Sequence, residues 1–405
     1  MSHLSASDVK AARAAVQTVA RRTPMLSTRT FSERAGGTVV LKAENLQRTG
    51  SFKVRGVAAK LAALGPEKCS KGVVAASAGN HGQALAAAAA QMGIPCEVYV
   101  PADAPMAKVE AAREHGATVH VGGNSVDECL VAALKRSETG GLAFVHPFDD
   151  PAIVAGQGSL GLELLEDVPD LKKVVIPVGG GGLCAGVALA IKAERPDVSI
   201  VGVQAAACAP FPESMLAGKP IVATSALTIA DGIAVKRPGG ITLPLLMELT
   251  DEVVVVGEDA TAVAMALLLE RCKLVVEGAG AVGVAALLGG QVKPAQDGVT
   301  VAILSGGNVD AGLLAAIARR HETESGRRLV LLTRVPDRPG ALARILAAVA
   351  GTGANIVDVS HMREGLDLHV RETAVEMVLE TRGHEHAQRV LATLNEEGYV
   401  AQVLH

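Results

Sequence analysis

Lys173-Val-Val-Ile-Pro-Val-Gly-Gly-Gly-Gly-Leu183 is the stretch on which the fold turns. Its apolar run, Lys173 to Val178, reads as a strand with no polar face, which suits a parallel sheet covered on both sides. Four glycines then lead into a helix over Leu183–Glu194. Such a turn presents backbone N–H groups to an anion at a helix N-terminus, and four glycines let the backbone approach a phosphate from several directions. A nicotinamide dinucleotide is the first rival. Cys184 breaks the G-x-G-x-x-G frame begun at Gly179, however, and Gln204 ends the next strand where an acid would hold the ribose. No Walker lysine follows. The anion expected at Gly179, Gly180, Gly181, Gly182 and Leu183 is therefore the phosphate of a small cofactor that is neither dinucleotide nor nucleotide.

Outward from this turn, short apolar runs alternate with helical stretches. Val39–Lys42, Gly72–Ala76, Glu97–Val100, Thr118–Val121, Ser199–Val203, Glu252–Val255 and Val299–Leu304 read as strands. Gly82–Met92, Ala107–His115, Ser125–Ser137 and Ala260–Leu269 read as helices, as does Ser5–Arg21, with Ser5 as N-cap and Asp8 at the capping-box position. Apolar strands separated by helices predict an α/β body over residues 1–320. The polar stretch 321–328 reads as a linker. Beyond it, strands at Leu329–Val335, Ala354–Met362, Val370–Thr381 and Tyr399–Leu404, with helices at Ala341–Val349 and Glu385–Glu396, run in the order βαββαβ. That is a ferredoxin-like module over 329–405.

Composition narrows the function. The 405 residues carry a formal charge of −4, are 49% hydrophobic and 20% charged, and contain no dense basic run. They predict a globular multi-domain protein whose partner is a small molecule, neither nucleic acid nor membrane. The longest uncharged run, Val174–Ile191, is interrupted by Pro177 and the glycines and reads as strand, loop and helix. The N-terminus lacks the positive start and apolar run of an export signal. Six scattered cysteines (69, 96, 129, 184, 208, 272) form no C-x-x-C pair and read as small core residues in a reducing cytoplasm.

Two further turns stand at predicted strand ends, where ligands bind in open parallel sheets. Ser77-Ala-Gly-Asn-His-Gly82 suits a carboxylate or phosphate, and Ser305-Gly-Gly-Asn308 follows the last strand of the body. Upstream, Gly50-Ser-Phe-Lys-Val-Arg-Gly56 places a single lysine, Lys53, between glycines. A phosphate site, a carboxylate site and a lysine in one cleft suit pyridoxal phosphate, whose aldehyde condenses with a lysine amine and whose ring withdraws electrons from an amino-acid substrate.

Taken in order, Ser51–Gly56, Ser77–Gly82, Gly179–Leu183 and Ser305–Asn308 resemble the serine/threonine dehydratases of the fold-type II pyridoxal phosphate family, across residues 5–320. The tail, with Asp337-Arg-Pro-Gly-Ala-Leu342 and Gly353-Ala-Asn-Ile356, resembles an ACT regulatory domain. The resemblance implies two parallel-sheet α/β subdomains like those of the tryptophan synthase β chain, the smaller (72–149) inserted in the larger. It also implies that Lys53 forms the internal aldimine, Phe52 flanks the ring, Asn80 hydrogen-bonds the ring hydroxyl and Gly179–Leu183 hold the phosphate. Ser305 would face the pyridine nitrogen, where a hydroxyl does not enforce a pyridinium as an aspartate would. The amides of Ser77, Ala78, Gly79, Asn80 and His81 would take the substrate carboxylate.

The implied reaction converts L-threonine to 2-oxobutanoate and ammonia, and L-serine to pyruvate, with Lys53 as general base and the cofactor phosphate as acid. The ACT module implies a homo-oligomer, dimer or tetramer, with a branched-chain amino-acid effector near Gly340 and Asn355. Two departures matter. Serine racemases of this fold carry a serine where this chain has Ala78, so racemisation is expected to be poor. A cation site of some relatives uses acids after the strand at Ser199–Val203, where this chain reads Gln204-Ala-Ala-Ala-Cys-Ala-Pro210, so no metal is expected.

Other readings stand beside these. The same scaffold serves L-serine or 3-hydroxyaspartate dehydration, and a catalytically idle amino-acid sensor is a reading from another class; intact Lys53, Asn80, Ser305 and the glycines argue against the last. His81 reads as loop support rather than acid or base. Glu277, in Glu-Gly-Ala-Gly-Ala281, either approaches the cofactor ring or caps a helix N-terminus. Arg55 reads as structural, and His384-Glu-His386 as a solvated helix start rather than a metal pair.

Overall fold

A computed structural model of the chain describes residues 4–77, 79–104, 106–363 and 368–404. The chain forms two compact units, Met1–Asp310 and Ala311–His405.

The first unit holds two sheets whose inner strands are largely buried, in keeping with their apolar, β-branched sequences. One is four-stranded and parallel, in the order Thr118–Val121, Cys96–Val100, Val73–Ala76, Ala143–Phe144. The other is six-stranded, in the order Met25–Ser27, Val39–Lys42, Val299–Ile303, Leu171–Pro177, Ser199–Ala205, Glu252–Val256. Five of its strands are parallel, and the edge strand Met25–Ser27 runs antiparallel, pairing Met25 with Lys42. That edge departs from the wholly parallel reading. It is three residues long, too short to show a period. The four-stranded sheet is inserted in the chain between Lys42 and Leu171 of the six-stranded one.

Two helices absent from the sequence reading prove central: Lys53–Lys68 and Pro151–Asp167. The second carries Gly156, Gly158 and Gly161, which argue against a helix when taken alone. Packing explains them. A Cβ on Gly156 would lie 2.6 Å from the Arg55 carbonyl oxygen, and one on Gly158 would lie 2.8 Å from that of Gly186. The glycines let helices touch backbone to backbone, and that close approach outweighs a propensity cost of about 1 kcal/mol each. The opening helix, Ala6–Val19, has the expected capping box between Ser5 and Asp8. Five of the six cysteines are buried. Among the described residues, no helix is long and apolar enough to cross a membrane.

The second unit begins with the helix Ala311–Glu324 and continues into an antiparallel sheet, in the order Asn355–Met362, Glu372–Glu380, Arg328–Pro336, Ala401–Leu404. With the helices Ala341–Gly351 and His384–Glu396 the order is βαββαβ. Alternation along Arg328–Pro336 buries Leu329, Leu331, Thr333 and Val335 against those helices. Stretch 321–328 is not a linker: residues through Glu324 finish a helix, and Arg328 opens a strand. Its exposed residues, Glu322 and Glu324, lie in the last turn of that helix.

His386 corrects another expectation. It is 2% exposed, accepts a hydrogen bond from the Arg382 N–H on Nδ1 (3.1 Å) and contacts the Thr352 carbonyl through Nε2 (3.0 Å). It joins two loops rather than facing solvent, whereas His384 is exposed.

Candidate active site

All three glycine-bearing turns lie at C-terminal strand ends, in two different sheets of the first unit. Segments 50–52 and 305–307 run antiparallel: the Phe52 N–H donates to the Ser305 carbonyl (3.0 Å) and the Gly307 N–H to that of Gly50 (2.8 Å). This pairing sets Lys53, the first residue of its helix, beside Ser305.

One cavity is lined by Phe52, Lys53, Asn80, Gly179, Gly180, Gly181, Gly182, Leu183, Glu277 and Ser305. These ten were singled out from sequence, and the fold brings them together. Ser77, Gly79 and His81 do not line it. Ala78 lies outside the described residues. In the second unit, Asn355 lines an open cleft of about 750 Å³ with Arg319, Arg328, Glu380 and Arg382, and Gly340 does not reach it.

Lys53 Nζ donates to the Pro147 carbonyl at 3.0 Å and lies 5.2 Å from the Phe52 ring centroid. Burial pushes its amine down to about 8, partly opposed by Glu277. Its place in the first helical turn disfavours the ammonium further. Glu277 precedes the helix Gly278–Leu288 without capping it through its side chain. The carboxyl instead turns to the cavity and accepts from Asn80 Nδ2 at 2.7 Å. Burial, with Asp231 second, pushes it up to about 7.

The Asn80 amide is oriented in turn by Asn308, whose Nδ2 donates to Asn80 Oδ1 (2.8 Å), Thr49 O (2.9 Å) and Gln83 Oε1 (3.1 Å). His81 is 3% exposed, bonds the Val145 carbonyl through Nε2 (2.8 Å), and is driven by burial to about 3. It is a neutral support for the loop.

Sequence reasoning missed the segment His146–Asp150. Pro147 and Phe148 line the cavity, and Asp150 both caps the helix Pro151–Asp167 and pairs with Lys60 at 2.5 Å, on the helix that bears Lys53. The available signal was Asp150-Pro151, an N-cap followed by proline at the first helical position. Gln157, also missed, lines the cavity, and its buried Oε1 has no partner among the described residues.

The model of the pyridoxal-phosphate dependent enzyme family matches residues 16–306, and the ACT domain model matches residues 329–398. The chain belongs to the pyridoxal-phosphate dependent enzyme family. Among curated members, a protein of Geobacter sulfurreducens named L-threonine ammonia-lyase is 45% identical over 384 residues, 95% of each chain. One of Thermotoga maritima with the same name is 44% identical over 398 residues, 98% of each. The solved structure of maize serine racemase has a TM-score of 0.74 and 35% identity, covering 79% of this chain and 98% of its own.

The residues on the cavity wall suit the family's cofactor. Gly181, at φ +95°, turns the backbone into the helix Gly182–Glu194, whose N-terminus has no side-chain cap and so keeps N–H groups for an anion. Lys53 offers a largely desolvated amine to an aldehyde. Ser305 lies on the same wall.

Proposed function

We propose that the chain is a threonine ammonia-lyase, converting L-threonine to 2-oxobutanoate and ammonia and acting likewise on L-serine to give pyruvate. The observation that carries this reading is Lys53, a half-buried lysine whose amine is pushed down to about 8, on the wall of the same cavity as the glycine turn. Two relatives named for that activity match along nearly the whole chain, ACT domain included, and support it.

Pyridoxal phosphate, when bound, supplies an aldehyde that condenses with the substrate amine and a ring that withdraws electrons from its Cα. The Gly179–Leu183 turn would grip the phosphate, Phe52 would flank the ring, Ser305 would meet its nitrogen, and Asn80, held by Asn308, would face its hydroxyl. The turn of which Asn80 reaches the cavity wall would receive the substrate carboxylate.

Lys53 would take the Cα proton; an amine with a pKa near 8 keeps a neutral fraction of about one-fifth at pH 7.4 and is still basic. The β-hydroxyl leaves with a proton as water. The enamine product becomes an imine, takes up water and releases ammonia, so that the net change is threonine to 2-oxobutanoate plus ammonia. The ACT unit serves as sensor of isoleucine or valine near Gly340 and Asn355, within a cytoplasmic homo-oligomer, through differential affinity for two states.

The test is a panel of L-threonine, L-serine and 3-hydroxyaspartate with the purified chain and pyridoxal phosphate, measuring keto acid and ammonia. Threonine is expected to give the highest kcat/KM. Serine outpacing threonine severalfold would replace the reading with serine dehydratase, and no keto acid from any substrate would leave the idle sensor.

A further inference from the structure

Four successive glycines make a backbone free to flip, and a turn that binds an anion must keep its carbonyl oxygens away from it. Something outside the turn has to hold those peptides. The segment His146–Asp150 packs directly on it: a Cβ on Gly180 would sit 2.4 Å from the Phe148 ring.

The next residue, Asp149, accepts backbone N–H bonds from Gly240 (2.8 Å), Ile241 (2.9 Å) and Thr242 (3.2 Å), at the start of the helix Thr242–Leu249. Thr242 is fully buried, and its hydroxyl donates to the Gly180 carbonyl at 2.6 Å. Thr242 is not on the cavity wall, so this bond turns the Gly180 oxygen out of the cavity. A Cβ on Gly181 would lie 2.8 Å from the Thr242 Cβ, so the turn rests on this side chain.

We infer that Asp149 and Thr242 are positioning residues for phosphate recognition: Asp149 fixes the start of the helix, the helix aims Thr242, and Thr242 holds the Gly180 peptide in the anion-binding orientation. The relay rests on the cofactor reading above but is separable from it. Neither residue lines the cavity, and both act through one carbonyl. Losing the bond leaves that carbonyl buried without a donor and frees the peptide to point its oxygen at the phosphate.

The full-length chain, stripped of cofactor, is titrated with pyridoxal phosphate and with pyridoxal, the same aldehyde without the phosphate, following the absorbance of the lysine adduct. Thr242→Val is expected to weaken pyridoxal phosphate roughly 5- to 100-fold while leaving pyridoxal within about twofold. Thr242→Ser, which keeps the hydroxyl, should retain the wild-type ratio of the two affinities, and Asp149→Asn should lower it. Equal losses for both ligands, or no loss for either, would overturn the relay. Should Thr242→Val not fold, Asp149→Asn decides by the same ratio. A wild-type chain with no preference for the phosphorylated aldehyde would overturn the cofactor reading itself.

Discussion

Arg55 grips Glu163 with both arms of its guanidinium, Nη1 to Oε1 at 2.8 Å and Nη2 to Oε2 at 3.0 Å. The pair ties the helix that carries Lys53, two residues away, to the helix Pro151–Asp167. On its other side Arg55 meets Glu44 through Nε and Nη2, both at 2.8 Å, and Lys42 Nζ approaches Glu163 at 2.7 Å. Arg55, Glu44 and Lys42 are each at most 1% exposed. Arg55 is held fully charged by these carboxylates against the cost of burial, and Glu44 is held below the usual carboxylate range by Arg55.

Arg55→Met should therefore destabilise strongly, because it leaves Glu44 and Glu163 short of a cation in the interior; the expected loss is about 3–5 kcal/mol. Arg55→Lys should recover only part of it, since an ammonium cannot grip two carboxylates in the planar fork. Urea unfolding monitored by circular dichroism measures both. A loss below 1 kcal/mol for Arg55→Met would contradict the role assigned to this network.

Glu277 makes the ligand-free chain pH-sensitive in a definite direction. Its folded pKa is raised from 4.5 to about 7, so the folded state binds more protons than the unfolded state between those values. The stability contributed by Glu277 then falls as pH rises through that window. Glu277→Gln removes this contribution: it should be more stable than wild type at pH 7.5, by on the order of 3 kcal/mol, and the advantage should fade towards pH 4.5. Parallel slopes for the two proteins from pH 4.5 to 7.5 would rule this out.

Lys53 predicts the rate of aldehyde capture. Capture requires the neutral amine, so the rate for the cofactor-free chain should climb about tenfold per pH unit below 8 and level off above about 8. A rate still rising at pH 10 would indicate an ordinary lysine near 10.5. Lys53→Ala should yield no borohydride-fixed adduct at position 53 on peptide mapping and no keto acid, while its circular dichroism matches wild type.

A chain ended after Asp310, at the boundary of the first unit, should retain threonine turnover and lose any response to isoleucine or valine. Initial rates with and without each amino acid read this out. Retained inhibition would place the effector site in the first unit.

Much of the architecture was legible because it is written locally. The strand at Leu171–Pro177, its glycine turn and the helix after it are consecutive in the chain, and so are the elements of the βαββαβ tail. Each follows from period and turn chemistry over about ten residues. The helices Lys53–Lys68 and Pro151–Asp167 were not legible. One begins inside a glycine-bounded motif, and the other holds glycines whose purpose is contact with a distant helix.

The boundary after Asp310 was hidden for a related reason. The helix Ala311–Glu324 follows the last strand of the first unit without a break in composition, yet belongs to the compact unit that comes after it.

By itself the sequence determined the ingredients: apolar strands, three turns rich in glycine, one lysine among them, and a second domain of fixed element order. The tertiary structure alone decided who meets whom. Asn308 reaches Asn80 across 228 positions, Lys53 finds Pro147 across 94, and Thr242 holds Gly180 across 62. Glu277 faces the cavity, and His386 is buried between loops. Hydrogen bonding and burial at those places depend on packing between elements remote in the chain, and no local pattern encodes that.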